Sequence, residues 1–276
     1  MTPTQSSQSK SKAQRRAEAQ RKAAEKRAAE QRRRRTQVGI RLGVVAAVIV
    51  AIVVLTVVLT GGSSGPPASF TNPHLGSSLQ PIPSSMSSTW VQPPAQTPGP
   101  EGIGVPSGPK LATLVNAATG ETIDGIQCQT NEQTVVHVHT HVTVFVNGQA
   151  RVIPYGIGIP GAQAEQSGQG PLVVTGSCFY WLHTHANDGT IHIESPNTTQ
   201  TFTLGQFFDI WGIPLSSTQV GPATGQVTAF FTSPGKETKL YTGDPRNLPL
   251  GDHYEIQLVV GSPIVAPVKV TNWNNL

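Results

Sequence analysis

From Thr134 to Val146 the chain reads TVVHVHTHVTVFV, a run of alternating residues that fixes which side chains can face a core. Successive side chains of a strand point to opposite sides. Val136, Val138, Val142, Val144 and Val146 therefore share one face, and His137, His139, His141, Thr143 and Phe145 share the other. The run ends at Asn147-Gly148, a favoured hairpin turn, which predicts a return over Gln149–Tyr155. A chain built on such runs is predicted to be mainly β.

A second hairpin is predicted where Cys178–His185 meets Thr190–Glu194 across Asn187-Asp188-Gly189. With Asp188-Gly189 as a two-residue turn, His185 opposes His192 and His183 opposes Glu194. His183, His185, His192 and Glu194 then share a face, while Tyr180, Leu182, Ile191 and Ile193 form an apolar one. Further strands are expected at Leu172–Thr175, Gln226–Thr232, Thr238–Tyr241 and His253–Val260. Thr203-Leu-Gly-Gln206 has the form of a capping box, with Phe207, Phe208, Ile210 and Trp211 on an apolar side and Gly212 as a stop. The expected domain spans residues 110–276. It is an antiparallel β-sandwich or small barrel with one short helix.

The residues before it are of other kinds. Residues 1–41 hold 13 of the 19 Lys+Arg and three acids, about +10, which leaves about −6 for the rest. The sequence pI of 9.2 thus averages two opposite parts. Leu42–Thr60 carries no charge over 19 residues, roughly 28 Å as a helix and close to a bilayer core of about 30 Å. Arg32–Arg35 and Arg41 precede it, so the positive-inside rule predicts a single span with a cytoplasmic N-terminus and an extracytoplasmic C-terminal domain. The basic tail is expected to fix topology, and anionic lipid headgroups are its next candidate partner. It lacks interleaved aromatics and a folded binding motif, so no nucleic-acid partner is expected. Gly61 to Pro109 holds 11 of the 23 prolines and is predicted to be a disordered, extended linker. His74, within it, reads as an isolated surface histidine.

Histidines on one face point to a transition-metal site. In the predicted register directly opposed Cβ atoms are about 4.5–5.5 Å apart, and imidazoles from such positions can meet one ion at about 2.0–2.1 Å. The expected ligands are His183, His185, His192 and Glu194, completed from the first run by His139 and His141. His137 and His141 are roughly 13 Å apart on a straight strand, so the first run cannot give all three histidines to one ion. His253, with Glu255 on the same strand face, is a reserve ligand. Imidazole ligands suit Zn, Cu, Fe and Ni, and Cu or Zn is the expected cofactor. Met1 and Met86 are the chain's methionines, so a Met-rich Cu(I) carrier is not supported. Cys128 and Cys178, on the predicted outer side, are expected to form a disulfide.

CFYWLHTHANDGTIHIESP (Cys178–Pro196), with HVHTHVTVFVNG before it and FTLGQFFDIWG after it, resembles an uncharacterised family of bacterial membrane-anchored extracytoplasmic proteins. The resemblance covers roughly Gln127 to Gly261. It implies an extracytoplasmic location and a role for the histidines. HxH with a later His is also similar to cupin metal barrels, but the cupin Glu and well-separated third His are not cleanly matched.

Three functions remain open on the sequence. The first is metal capture, delivery or sensing at the envelope. The second is a metal-dependent hydrolase or oxygenase with Glu194 or Asp188 as base. The third is an envelope interaction module with structural or pH-responsive histidines. Neither a Gly-x-Ser-x-Gly elbow at a predicted strand-to-helix turn nor a phosphate loop is present to support other enzymes.

Overall fold

The computed structural model describes residues 75–273 and 276. The basic tail, Leu42–Thr60, His74 and the first part of the expected linker lie outside the described residues. Among the described residues no helix is long and apolar enough to cross a membrane.

The chain is mainly β, and eight strands make its largest sheet. They are β1 (Leu79–Gln80), β2 (Val136–Val146), β3 (Gln149–Arg151), β4 (Leu182–His183), β5 (Thr190–Ser195), β6 (Val227–Thr232), β7 (Lys239–Tyr241) and β8 (Tyr254–Val260). Their order is β1-β7-β6-β8-β2-β5-β4, with β3 paired to the Val146 end of β2. Two features differ from expectation. The sheet does not close into a barrel, and it is mixed: β8 runs parallel to β2, with Tyr254 opposite Thr140 and Val260 opposite Val146. Parallel neighbours need a long crossover, and everything between β3 and β8 supplies it. Alternation along one strand carries no information about the direction of its neighbour.

Both faces of the sheet are covered, as the two-faced pattern of β2 requires. Val142, Val144, Ile191, Ile193, Ile256 and Leu258 meet the helix Leu204–Trp211 through Leu204, Phe207, Phe208 and Trp211 in the larger core. This covering layer is a helix with short ribbons rather than a second large sheet. Gln206 Oε1 accepts the Thr203 backbone N–H at 3.0 Å, as the capping box predicts. Gly212 ends the helix at φ 73°. A Cβ there would lie 1.9 Å from the Asn116 carbonyl oxygen, so glycine is required by space as well as by φ.

On the opposite face Phe145, Phe230 and Val259 form a smaller core with Ile82, Met86, Trp90, Ile264, Val265 and Val268. The linker expectation therefore fails from Leu75 onward. β1 pairs with β7, Val91 bridges to Val265, and Gln96–Pro98 forms a ribbon with Gly104–Pro106. A Pro- and Gly-rich segment cannot bury a core of its own. It can still add Ile82, Met86 and Trp90 to a core that the sheet has already built.

Cys128 and Cys178 are bonded, with Cα atoms 5.4 Å apart. They fasten the Cys128–Gln129 strand to Phe179–Tyr180, the strand just before β4.

Candidate metal centre

The histidines occupy the other end of the face that carries Phe145. Strand pairing lays them out as a grid. Across β4, β5 and β2, His183 opposes His192 and His192 opposes His139. In the neighbouring rows Glu194 opposes His137 and Thr190 opposes His141.

The observed β4–β5 register is two residues away from the expected one, because His183, not His185, pairs with His192. Residues 184–189 form a longer connection than the two-residue turn. Asp188 holds it, its Oδ1 accepting the Thr190 N–H at 3.0 Å. A slip of one residue would have turned every side chain over, whereas a slip of two preserves the faces. His183, His192 and Glu194 therefore still point together, and His185 joins them from the connection. Gly158 packs behind β4 at φ 71°, where a Cβ would lie 2.3 Å from the Leu182 carbonyl oxygen. The close backbone approach that seats His183 depends on that glycine.

His183 Nε2, His185 Nε2, His192 and Glu194 supply ligand atoms that all lie within 4.8 Å of one another. The two Nε2 atoms are 3.0 Å apart. Glu194 Oε1 is 3.7 Å from His183 Nε2 and 3.6 Å from His192 Nδ1. A tetrahedral ion with bonds of about 2.05 Å spaces its ligand atoms about 3.3 Å apart, so small side-chain adjustments suffice to close around one.

The outward hydrogen bonds fix the tautomers. His183 Nδ1–H donates to the Tyr180 carbonyl at 2.7 Å, and His185 Nδ1–H donates to the Val173 carbonyl at 2.8 Å. Carbonyl oxygens only accept, so each Nδ1 carries a proton, and in its neutral form each ring turns an Nε2 lone pair toward the centre. His192 Nε2 is 2.8 Å from Glu101 Oε1, which leaves Nδ1 facing inward. A carboxylate or carbonyl behind each imidazole is the usual outer support of a metal-bound histidine.

His139 Nε2 lies 3.1 Å from His192 Nδ1. A second group, His137, His139 and His192, also meets the spacing for an ion and shares His192 with the first. His141 falls in neither group, which removes half of the expected His139–His141 pair: its Nε2–H donates to the Asp188 carbonyl at 2.8 Å. His253, the reserve ligand, is likewise turned away. It stacks on Trp273 with centroids 4.5 Å apart and bonds the Leu276 oxygen at 2.9 Å. Two residues were missed by sequence reasoning. Glu101 lies in the segment read as a linker, and Glu132, whose Oε1 is 3.3 Å from His185 Nε2, lies in the irregular segment before β2. No spacing pattern links either carboxylate to the histidine runs.

The centre is enclosed: side-chain exposures are 0 % for His183, 14 % for His185 and 3 % for Glu194. Burial holds His183 well below the ordinary imidazole pKa, and the neighbouring His192 and His185 act the same way. Burial and His192 push His139 down to about 3, and burial pushes His141 down to about 4. Burial alone would lower His192 as well, but its hydrogen bonds to Glu101 and Glu194 and their charges outweigh it, pushing His192 up to about 9. Asp188 is raised to about 7 by burial and by the charge of Glu101.

These shifts set the acid stability of the metal-free chain. Below the unfolded imidazole pKa, unfolded His139, His141 and His183 bind protons that the folded chain refuses, so stability falls with pH. His192 is protonated in both states there, and Asp188, protonated only when folded, offsets one proton. Between pH 5 and 6 unfolding then takes up between about one and two protons, and the folding constant drops roughly thirty- to fiftyfold over that unit. Denaturation midpoints at pH 5, 6 and 7.5 check this; a flat profile contradicts it.

Compared with protein-family models, curated proteins and solved structures, the chain matches none.

Proposed function

We propose that this chain is a single-pass envelope protein whose outer β domain binds one divalent transition-metal ion, Zn2+ or Cu2+, for capture, delivery or sensing. The ligands are His183 Nε2, His185 Nε2, His192 Nδ1 and Glu194. The observation that carries this reading is the pair of Nε2 lone pairs facing each other at 3.0 Å. Both rings carry their Nδ1 proton toward a carbonyl behind them, so as neutral imidazoles they turn Nε2 lone pairs to each other, which repel unless a proton or a metal ion lies between them.

Four enclosed protein ligands suit a carrier or sensor better than an enzyme, because a catalytic ion keeps a position open to water or substrate. Three nitrogens and one oxygen suit Zn2+ and Cu2+ and do not separate them. The membrane location rests on Leu42–Thr60 and the arginines before it. The resemblance of Cys178–Pro196 to bacterial membrane-anchored proteins points the same way.

Elemental analysis of the purified full chain, dialysed against each ion, tests the assignment. One Zn2+ or Cu2+ per chain is expected, and it should be absent when His183, His185 and His192 are all replaced by alanine. Equal metal content in the two proteins, or none in either, overturns the proposal.

A further inference from the structure

We propose that His137, His139 and His192 form an outer metal position through which a divalent transition-metal ion passes to and from the enclosed one. This rests on the inner site being a metal site. Direct filling of the inner position from water is restricted, since His183 has no exposed side-chain surface, Glu194 almost none and His185 14 %. His137 is different: its imidazole is 46 % exposed, and its Nε2 is 3.2 Å from Glu194 Oε1.

The rings between the surface and the centre follow in sequence. His137 and His139 have centroids 4.8 Å apart, and His139 and His192 have centroids 4.5 Å apart. The ligand atoms of the outer set lie within 4.8 Å of one another, as those of the inner set do. Glu194 Oε1 is within 3.7 Å of ring nitrogens on His137, His183 and His192, so one carboxylate oxygen reaches both sets.

These distances define a ligand exchange. The ion first binds His137 Nε2, His139 Nε2 and His192 Nδ1. Glu194 Oε1 joins as His137 leaves, and then the Nε2 atoms of His183 and His185 replace that of His139. His192 and the carboxylate hold the ion while the other bonds turn over. Oxidation state does not change. Any proton carried by a ring nitrogen that takes the ion leaves to solvent.

Glu132 offers a competing route. It is 41 % exposed, and its Oε1 lies 3.3 Å from His185 Nε2. The outer group is favoured because it supplies three imidazoles, against a single carboxylate on the other side.

Rapid mixing of the metal-free full chain with Co2+, read by the visible absorption of the bound ion, and chelator-driven release test the route. His137→Ala is expected to slow loading and release alike, by tenfold or more. In a His183→Ala/His185→Ala chain, Co2+ should still bind, more weakly, and a further His137→Ala should abolish that binding. His137→Ala rates within twofold of the parent overturn the proposal. So does a Glu132→Gln chain that loads tenfold slower while His137→Ala does not. If the double variant fails to fold, the His137→Ala rates decide alone. A parent chain that binds no Co2+, Zn2+ or Cu2+ overturns the inner site as well, a result distinct from unchanged rates.

Discussion

Replacing His183 by alanine is expected to weaken Zn2+ binding at the centre by about a thousandfold, more than the 10- to 100-fold that follows loss of an outer-shell partner. His183 is the hub of the inner group. It is fully buried, and its Nε2 faces both His185 Nε2 and Glu194 Oε1. The truncation removes one of four ligands and leaves the Tyr180 carbonyl without its imidazole donor. An unsatisfied buried acceptor costs about 1–3 kcal/mol, so the variant should also unfold at lower denaturant. Competition against a chromophoric chelator gives the affinity, and urea melts without metal give the stability. Affinity within tenfold of the parent would remove His183 from the ligand set.

Replacing Cys128 and Cys178 together by serine is expected to lower stability by about 4 kcal/mol, the chain-entropy value for a bond closing a 50-residue separation. The effect should extend to the metal. The bond fastens Cys128–Gln129 beside Phe179–Tyr180, and Gln129 Oε1 accepts the Trp181 indole N–H at 3.0 Å. Glu132 and His185 are drawn together by the same attachment. Weaker binding together with lower stability is therefore expected, by titration calorimetry and urea melts on the oxidised parent and the variant. A variant as stable as the parent would place the constraint elsewhere in the fold.

Much of the site was legible because parity survives errors of register. Alternation placed His183, His192 and Glu194 on one face and Leu182, Ile191 and Ile193 on the other. The two-residue slip at Asp188-Gly189 left that sorting intact. The capping box, Gly212 and the disulfide are local or pairwise signals and carried over directly. What failed depends on distant partners. His141 has the parity of a ligand, but the connection 184–189 brings the Asp188 carbonyl to its ring. Glu101 belongs to a segment whose composition predicts disorder, and that segment is ordered by a face of the sheet built from residues far along the chain. The β8–β2 direction is likewise absent from either strand taken alone.

That parallel pair also governs how the chain reaches its native state. β8 contacts β2 across 114 residues at Thr143 and Gln257, and contacts so remote make folding slow. During synthesis Val136–Val146 can pair early with Thr190–Ser195 on one side. Its other edge has no partner until the last strand emerges. An exposed, valine-rich edge is a template for pairing with another chain. The arrival of Tyr254–Val260 therefore both completes the sheet and covers that edge, so truncations before residue 254 should aggregate under conditions in which the full chain does not.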